Sequence, residues 1–153
     1  MARTAKRNNI IKLVPRTRPA AAAPRGTRIR DYMTRAPLTI GAERTLTEAH
    51  ALMRGHRVRH LPVLAAGSLV GIVSQRDLML IETLPGVDPS EVPVEDAMTR
   101  EVFVVGSQAP LAAVAAAMAE RKLGSAVVMD GERVVGVFTV TDACRALAGL
   151  LAR

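Results

Sequence analysis

Two short stretches hold the side chains best suited to binding chemistry, and each is a copy of the other. Gly71-Ile72-Val73-Ser74-Gln75-Arg76-Asp77 returns 65 positions later as Gly136-Val137-Phe138-Thr139-Val140-Thr141-Asp142. Each copy ends an apolar run, supplies a small hydroxyl and sets a carboxylate three residues beyond it. That spacing predicts a strand running into a helix, with Ser74 or Thr139 as N-cap and Asp77 or Asp142 at N3. A capping box accounts for one such stretch by itself. Two in fixed register ask for a further role.

The other reactive side chains are scattered. His50 is predicted mid-helix and His56 in a helix-to-strand turn, so the three histidines, with His60, are expected on a helix face or in a cleft and not around a metal. Cys144 stands alone in the chain. It is expected to be a buried, inert thiol, and its solitude suits a reducing, cytoplasmic setting. No Ser-His-Asp or Cys-His grouping clusters, and no glycine-rich Walker-type loop appears. Catalysis therefore has no candidate residue, no metal is expected, and the chain is not expected to be an enzyme.

The elements that position the paired motifs repeat as a whole. Asp31-Tyr32-Met33-Thr34-Arg35 matches Asp96-Ala97-Met98-Thr99-Arg100, and Leu46/Leu111, Met53/Met118 and Val63/Val128 keep the same offset. No insertion or deletion separates the copies, which marks a duplicated small domain. Each copy reads β-α-β-β-α. In the first, Leu38–Ile40 is a short strand, and Thr45-x-x-Glu48 opens a helix to about Arg54 with Leu46, Ala49, His50 and Met53 on one face. His60–Leu64 and Leu69–Val73 flank a turn at Ala66-Gly67, and a helix starts near Gln75. In the second, Phe103–Val105 is a strand, and a helix begins at Pro110 as N1 and ends at Gly124 as C′. Ala126–Met129 and Arg133–Phe138 form a hairpin about Asp130-Gly131, and the last helix reaches about Leu151. The expected division is 1–26 tail, 27–84 first repeat, 85–93 proline-marked linker and 94–153 second repeat. Each half is marginal in size, so the two should pack together.

Composition fits this reading. Apolar residues make up 49% of the 153, yet only Tyr32, Phe103 and Phe138 are aromatic. The core must be Ala, Val, Leu and Met, and Met33, Met53, Met79, Met98, Met118 and Met129 are expected to fill it. No apolar run reaches the roughly 18 residues of a membrane span, and no apolar segment follows the basic start as a signal peptide requires. The net charge of +7 is uneven: residues 1–30 hold nine Lys or Arg and no acid. The remainder has twelve against fourteen acids, a net charge of −2. Residues 1–26, with Pro15, Pro19, Pro24 and four consecutive alanines, are expected to be a flexible basic tail.

With these motifs in place, the chain resembles a tandem cystathionine β-synthase (CBS) domain pair, or Bateman module. The resemblance covers about residues 28–151 and rests on Met33-Thr34 and Met98-Thr99, on Arg59-His60-Leu61-Pro62-Val63, and on the two Gly-x-x-Ser/Thr-x-x-Asp endings. It implies an α/β fold of two repeats packed through their sheets about a pseudo-twofold axis, with two clefts between them. It also implies an adenosine ligand, AMP, ADP, ATP or S-adenosylmethionine, serving as regulatory ligand and not as cofactor. Carried over by position, one cleft combines Leu38, Arg59 and His60 with Val137, Thr139 and Asp142. The other combines Phe103, Gly124 and Ser125 with Ile72, Ser74, Arg76 and Asp77. A helix N-terminus favours phosphate, and an ionised Asp accepts hydrogen bonds from both ribose hydroxyls.

The two clefts are not expected to be equal. Arg59 and His60 could face phosphates in the first, whereas Gly124-Ser125 stand at those positions in the second. The second repeat also reads Ala126-Val127-Val128 where the first has Leu61-Pro62-Val63. The Asp142 cleft is therefore favoured. The expectation is a stand-alone regulatory module, a homodimer, that signals to a protein partner in trans. Two other classes compete: a nucleic-acid binder that uses the basic tail with the pair as dimerisation platform, and a purely structural dimerisation module. Missing aromatic stacking residues and the lack of a recognition helix weigh against nucleic acid.

Overall fold

The structure, a computed structural model, describes residues 27–152. The basic tail at 1–26, and the nucleic-acid contact expected of it, lie outside the described residues. A 3-10 turn at Ile29–Asp31 leads into β1 (Thr34–Arg35), β2 (Ile40–Gly41), α1 (Leu46–His56), β3 (His60–Ala65), β4 (Ser68–Ser74) and α2 (Gln75–Glu82). A second 3-10 turn at Val94–Asp96 precedes β5 (Val104–Gly106), α3 (Leu111–Glu120), β6 (Ser125–Asp130), β7 (Arg133–Thr139) and α4 (Val140–Leu151). Two sheets result, β2-β3-β4 and β1-β7-β6-β5, each with one parallel pair from a crossover helix and one hairpin.

Local signals set these boundaries. Thr45 and Glu48 close a reciprocal cap, Thr45 N donating to Glu48 Oε2 at 2.8 Å and Glu48 N donating to Thr45 Oγ1 at 3.2 Å. The first hairpin turns through Ala66 and Gly67, both at positive φ, as a tight two-residue turn demands. The helix before Gly124 ends earlier than expected, at Glu120, and Pro110 is its N-cap and not its first residue. Lys122 (φ 54°) takes the left-handed position, with Lys122 N bonded to Ala119 O and Leu123 N to Met118 O. Arg57 (φ 55°) does the same after α1, with Val58 N bonded to Met53 O. A basic side chain beside the last carbonyls complements the helix dipole, which suits a non-glycine residue to this site.

The docking of the repeats departs from chain order. The segment ahead of the first repeat lies on the second: β1 pairs antiparallel with β7, Thr34 opposite Val137 and Arg35 opposite Gly136. The equivalent segment ahead of the second repeat lies on the first, with Ile72 N donating to Thr99 O at 3.0 Å and Thr99 N to Ile72 O at 2.8 Å. Ile29, fully buried, packs with Phe103, Val114, Met118 and Phe138 of the second repeat. Val94, also fully buried, packs with Leu46, Leu61, Val73 and Leu78 of the first. A third, smaller cluster about Leu69, Val102 and Val127 joins the two sheets.

Two glycines make the exchange fit. A Cβ on Gly71 would lie 2.5 Å from Met98 Sδ and 3.0 Å from Thr99 O; one on Gly136 would come within 2.9 Å of Met33 Cγ and closer still to its sulfur. Met33 and Met98 thus fill the space left by the glycine of the opposite repeat. Met53 and Met118 are buried as expected, but Met79 is exposed on the outer face of α2. Replacing Gly136 by Ala should destabilise the fold by about 1–3 kcal/mol through overpacking. In a Met33→Ala background the same change should cost less, as measured by urea unfolding. Equal costs in both backgrounds would show that Met33 is not what the added Cβ meets.

Candidate functional site

Both motif hydroxyls cap their helices. Thr139 N and Oγ1 donate to Asp142 Oδ2 at 2.9 and 2.8 Å, and Asp142 N donates back to Thr139 Oγ1 at 3.3 Å. In the first repeat, Ser74 N and Oγ donate to Asp77 Oδ2 at 2.7 Å each, and Asp77 N returns to Ser74 Oγ at 3.2 Å. Asp142 is nonetheless buried, and Arg145 Nη1 reaches its other oxygen, Oδ1, at 2.8 Å.

The six residues expected in the Asp142 cleft converge. Leu38, Arg59, His60, Val137, Thr139 and Asp142 line one cleft of about 280 Å³ at the N-terminus of α4. The start of β3 brings His60, with Arg59 in the bend just ahead of it, from the first repeat, and the end of β7 brings Val137 and Thr139 from the second. Arg59 Nη2 donates to Thr141 Oγ1 at 3.3 Å, tying the repeats across the opening. Thr34, Pro37, Arg57, Val58, Val140, Thr141 and Arg145 complete the lining. Sequence reading missed these. Arg145 had a findable signal, since a residue three beyond Asp142 on a helix shares its face.

The lining is cationic: Arg57, Arg59 and Arg145 surround the single carboxylate of Asp142. Together with the positive end of the α4 dipole, this composition attracts anions. His60 contributes no fixed charge. Burial and the neighbouring Arg59 guanidinium lower its pKa from 6.5, with Asp77 partly opposing them.

The residues expected in the other cleft occupy the equivalent positions of the opposite repeats, at the same offset of 65. Asp77 caps α2 beside His60, and Arg76 is exposed. Ile72 has its backbone paired to Thr99. Ser125 lies opposite Thr139 in the β6–β7 register, and the Arg121 guanidinium stands 5.1 Å over the Phe103 ring. Gly124 abuts His60: a Cβ there would sit 3.2 Å from His60 Nε2. Its missing side chain makes room for that imidazole, and the helix end expected of it falls at Lys122.

Two other expectations are settled by exposure and contact. Cys144, expected to be buried, is exposed, because α4 turns Asp142 and Ala146 inward and residue 144 falls between them. His50 Nε2 stands 2.8 Å from Glu82 Oε1, linking α1 to α2 away from the cleft.

The burial of His60 sets a pH dependence. Its folded-state pKa is lowered, so the unfolded chain binds more protons between that value and 6.5. The stabilisation is complete above 6.5 and is lost as pH falls through the folded value. The midpoint of thermal unfolding should therefore drop between about pH 7.5 and about pH 5.5. His60→Gln should lessen the drop; an identical drop in the variant would remove His60 as its source.

Comparison with known proteins agrees with this architecture. The CBS domain family matches residues 29–82 and again residues 94–149. The CBS domain-containing protein YhcV of Bacillus subtilis is 29% identical over 114 residues, 74% of this chain and 81% of that protein. The CBS domain pair of protein MJ0100, solved in complex with 5′-methylthioadenosine and S-adenosyl-L-methionine, superposes with a TM-score of 0.73 at 28% identity. That match covers 80% of this chain and 97% of the other. CBSX2, solved in complex with AMP, superposes with a TM-score of 0.71 at 25% identity, covering 82% and 98%. With its doubled motif, exchanged segments and paired sheets, the chain belongs to the CBS domain family as a tandem pair.

Proposed function

We propose that the chain is a regulatory module that binds an adenosine nucleotide in the Asp142 cleft and signals to a protein partner in trans. The observation that carries this reading is the convergence of Leu38, Arg59 and His60 from one repeat with Val137, Thr139 and Asp142 from the other on one cleft. Leu38, Val58 and Val137 offer apolar walls for a base. Asp142 offers a carboxylate for ribose hydroxyls. Arg59 and the positive end of the α4 dipole offer a phosphate site. MJ0100 and CBSX2, bound to adenosine compounds, support the same ligand class.

A ligand held this way touches both repeats, so its affinity depends on how they are packed. That difference is all the signal it can send, since a ligand shifts an equilibrium only by its differential affinity. We read the exposed Met79, Leu80 and Leu84 near α2 and Leu147, Leu150 and Leu151 of α4 as surface for a second copy. Light scattering on the purified protein should then give twice the chain mass, and a monomer at every concentration would remove this part. Among the described residues, no helix is long and apolar enough to cross a membrane.

A thermal-shift panel of AMP, ADP, ATP, S-adenosylmethionine, NAD and GTP tests the ligand. A ligand at 100 times its Kd stabilises by about 2.7 kcal/mol. The expected outcome is a shift with an adenine compound that Asp142→Ala abolishes and Asp77→Ala retains. Loss in Asp77→Ala alone would move the site to the other motif. No shift with any compound would favour a structural dimerisation module.

A further inference from the structure

The hydrogen bonds at Asp142 leave little for a ligand. Oδ2 already accepts from Thr139 N and Thr139 Oγ1. The remaining oxygen, Oδ1, is held by Arg145 Nη1 at 2.8 Å. The carboxylate side chain is 7% exposed and the arginine 73%, so a long solvated cation closes a buried acceptor.

The cap does not need this ion pair, as the chain itself demonstrates. The first repeat builds the same Ser74–Asp77 cap, with bonds of 2.7, 2.7 and 3.2 Å, and carries Leu80 where the second repeat has Arg145. Among the described residues, the hydrogen bonds to the Asp77 carboxylate come from Ser74 and both end on Oδ2, whereas Asp142 Oδ1 accepts from Arg145. Arg145 is therefore surplus to the helix start, and its effect falls on the cleft that it lines.

We infer that Arg145 is a specificity-determining residue that competes with the ligand for Asp142. This rests on the reading that Asp142 receives the ribose. A vicinal diol needs an acceptor for each hydroxyl, and one lone pair of Oδ1 cannot serve both. Binding must therefore move the guanidinium off the carboxylate. A hollow of about 230 Å³ on its other side, lined by Asp31, Tyr32, Asp142, Ala146 and Gly149, gives it room and a second carboxylate. A phosphate-bearing ligand offers the released cation a further partner. An uncharged nucleoside offers none, and a cationic adenosyl compound repels it. The cleft thus favours nucleoside phosphates over nucleosides that fit it equally well.

The test is calorimetric titration of adenosine and AMP into wild type, Arg145→Leu and Arg145→Gln, with Asp142→Ala as control. Leucine reproduces the arrangement at Leu80, and glutamine removes the charge while keeping a polar group, so misfolding of one variant leaves the other. Removing the competitor should tighten adenosine binding about three- to tenfold, the range of a partly exposed charge-assisted pair. It should also narrow the preference for AMP. A simple anion attractor would weaken AMP and leave adenosine unchanged. Unchanged or weaker adenosine binding in both variants, with wild-type AMP binding intact, overturns the role of Arg145 alone. If AMP binds none of the proteins, both this inference and the nucleotide reading fall.

Discussion

The close approach of Met33 to Gly136, and of Met98 to Gly71, is the contact on which the rest of this structure depends. Each methionine belongs to the segment ahead of one repeat and fits against a glycine of the other. Because neither glycine has a Cβ, β1 can pair with β7, and Thr99 with Ile72, at backbone hydrogen-bond distance. Those pairings carry Ile29 and Val94 into the cores of the opposite repeats. The two sheets then meet through Leu69, Val102 and Val127, and the cleft at the α4 N-terminus follows from that meeting.

Electrostatics in the cleft run against the average. The chain from Asp31 onward carries a small negative net charge, yet three arginines converge around one buried carboxylate. The local excess arises because the cleft draws basic residues from both repeats, Arg57 and Arg59 from one and Arg145 from the other. His60 is kept from adding to that charge by burial and by Arg59. An average over the chain hides such a site; the packing of the repeats creates it.

Much of this was legible in the sequence. The constant offset of 65 fixes the repeat, and Thr45-x-x-Glu48, Ser74-x-x-Asp77 and Thr139-x-x-Asp142 form their caps at the predicted positions. What the offset could not reveal is which copy each leading segment docks on. Asp31–Arg35 and Asp96–Arg100 are near-identical in pattern, so either pairing satisfies the same side chains. Arg145 escaped for the opposite reason: a reading built on matched positions passes over a residue whose counterpart is Leu80. Gly124 looked like a helix terminator because glycine often is one, but Lys122 and Arg57 take that conformation and leave Gly124 to accommodate His60. Cys144 and Met79 were misjudged by residue type, where helix phase decides exposure.

The placement of β1 gives the chain a mechanical property. Thr34 lies opposite Val137 and itself lines the cleft, while the peptide leading to it is bonded to the second repeat from Thr27 to Arg30. Force applied to that leading peptide is borne first by Ile29, seated in the core of the second repeat, and reaches the wall of the cleft only when that anchor gives. The same anchor shields Thr34, and with it the cleft, from disturbance of the residues that precede it.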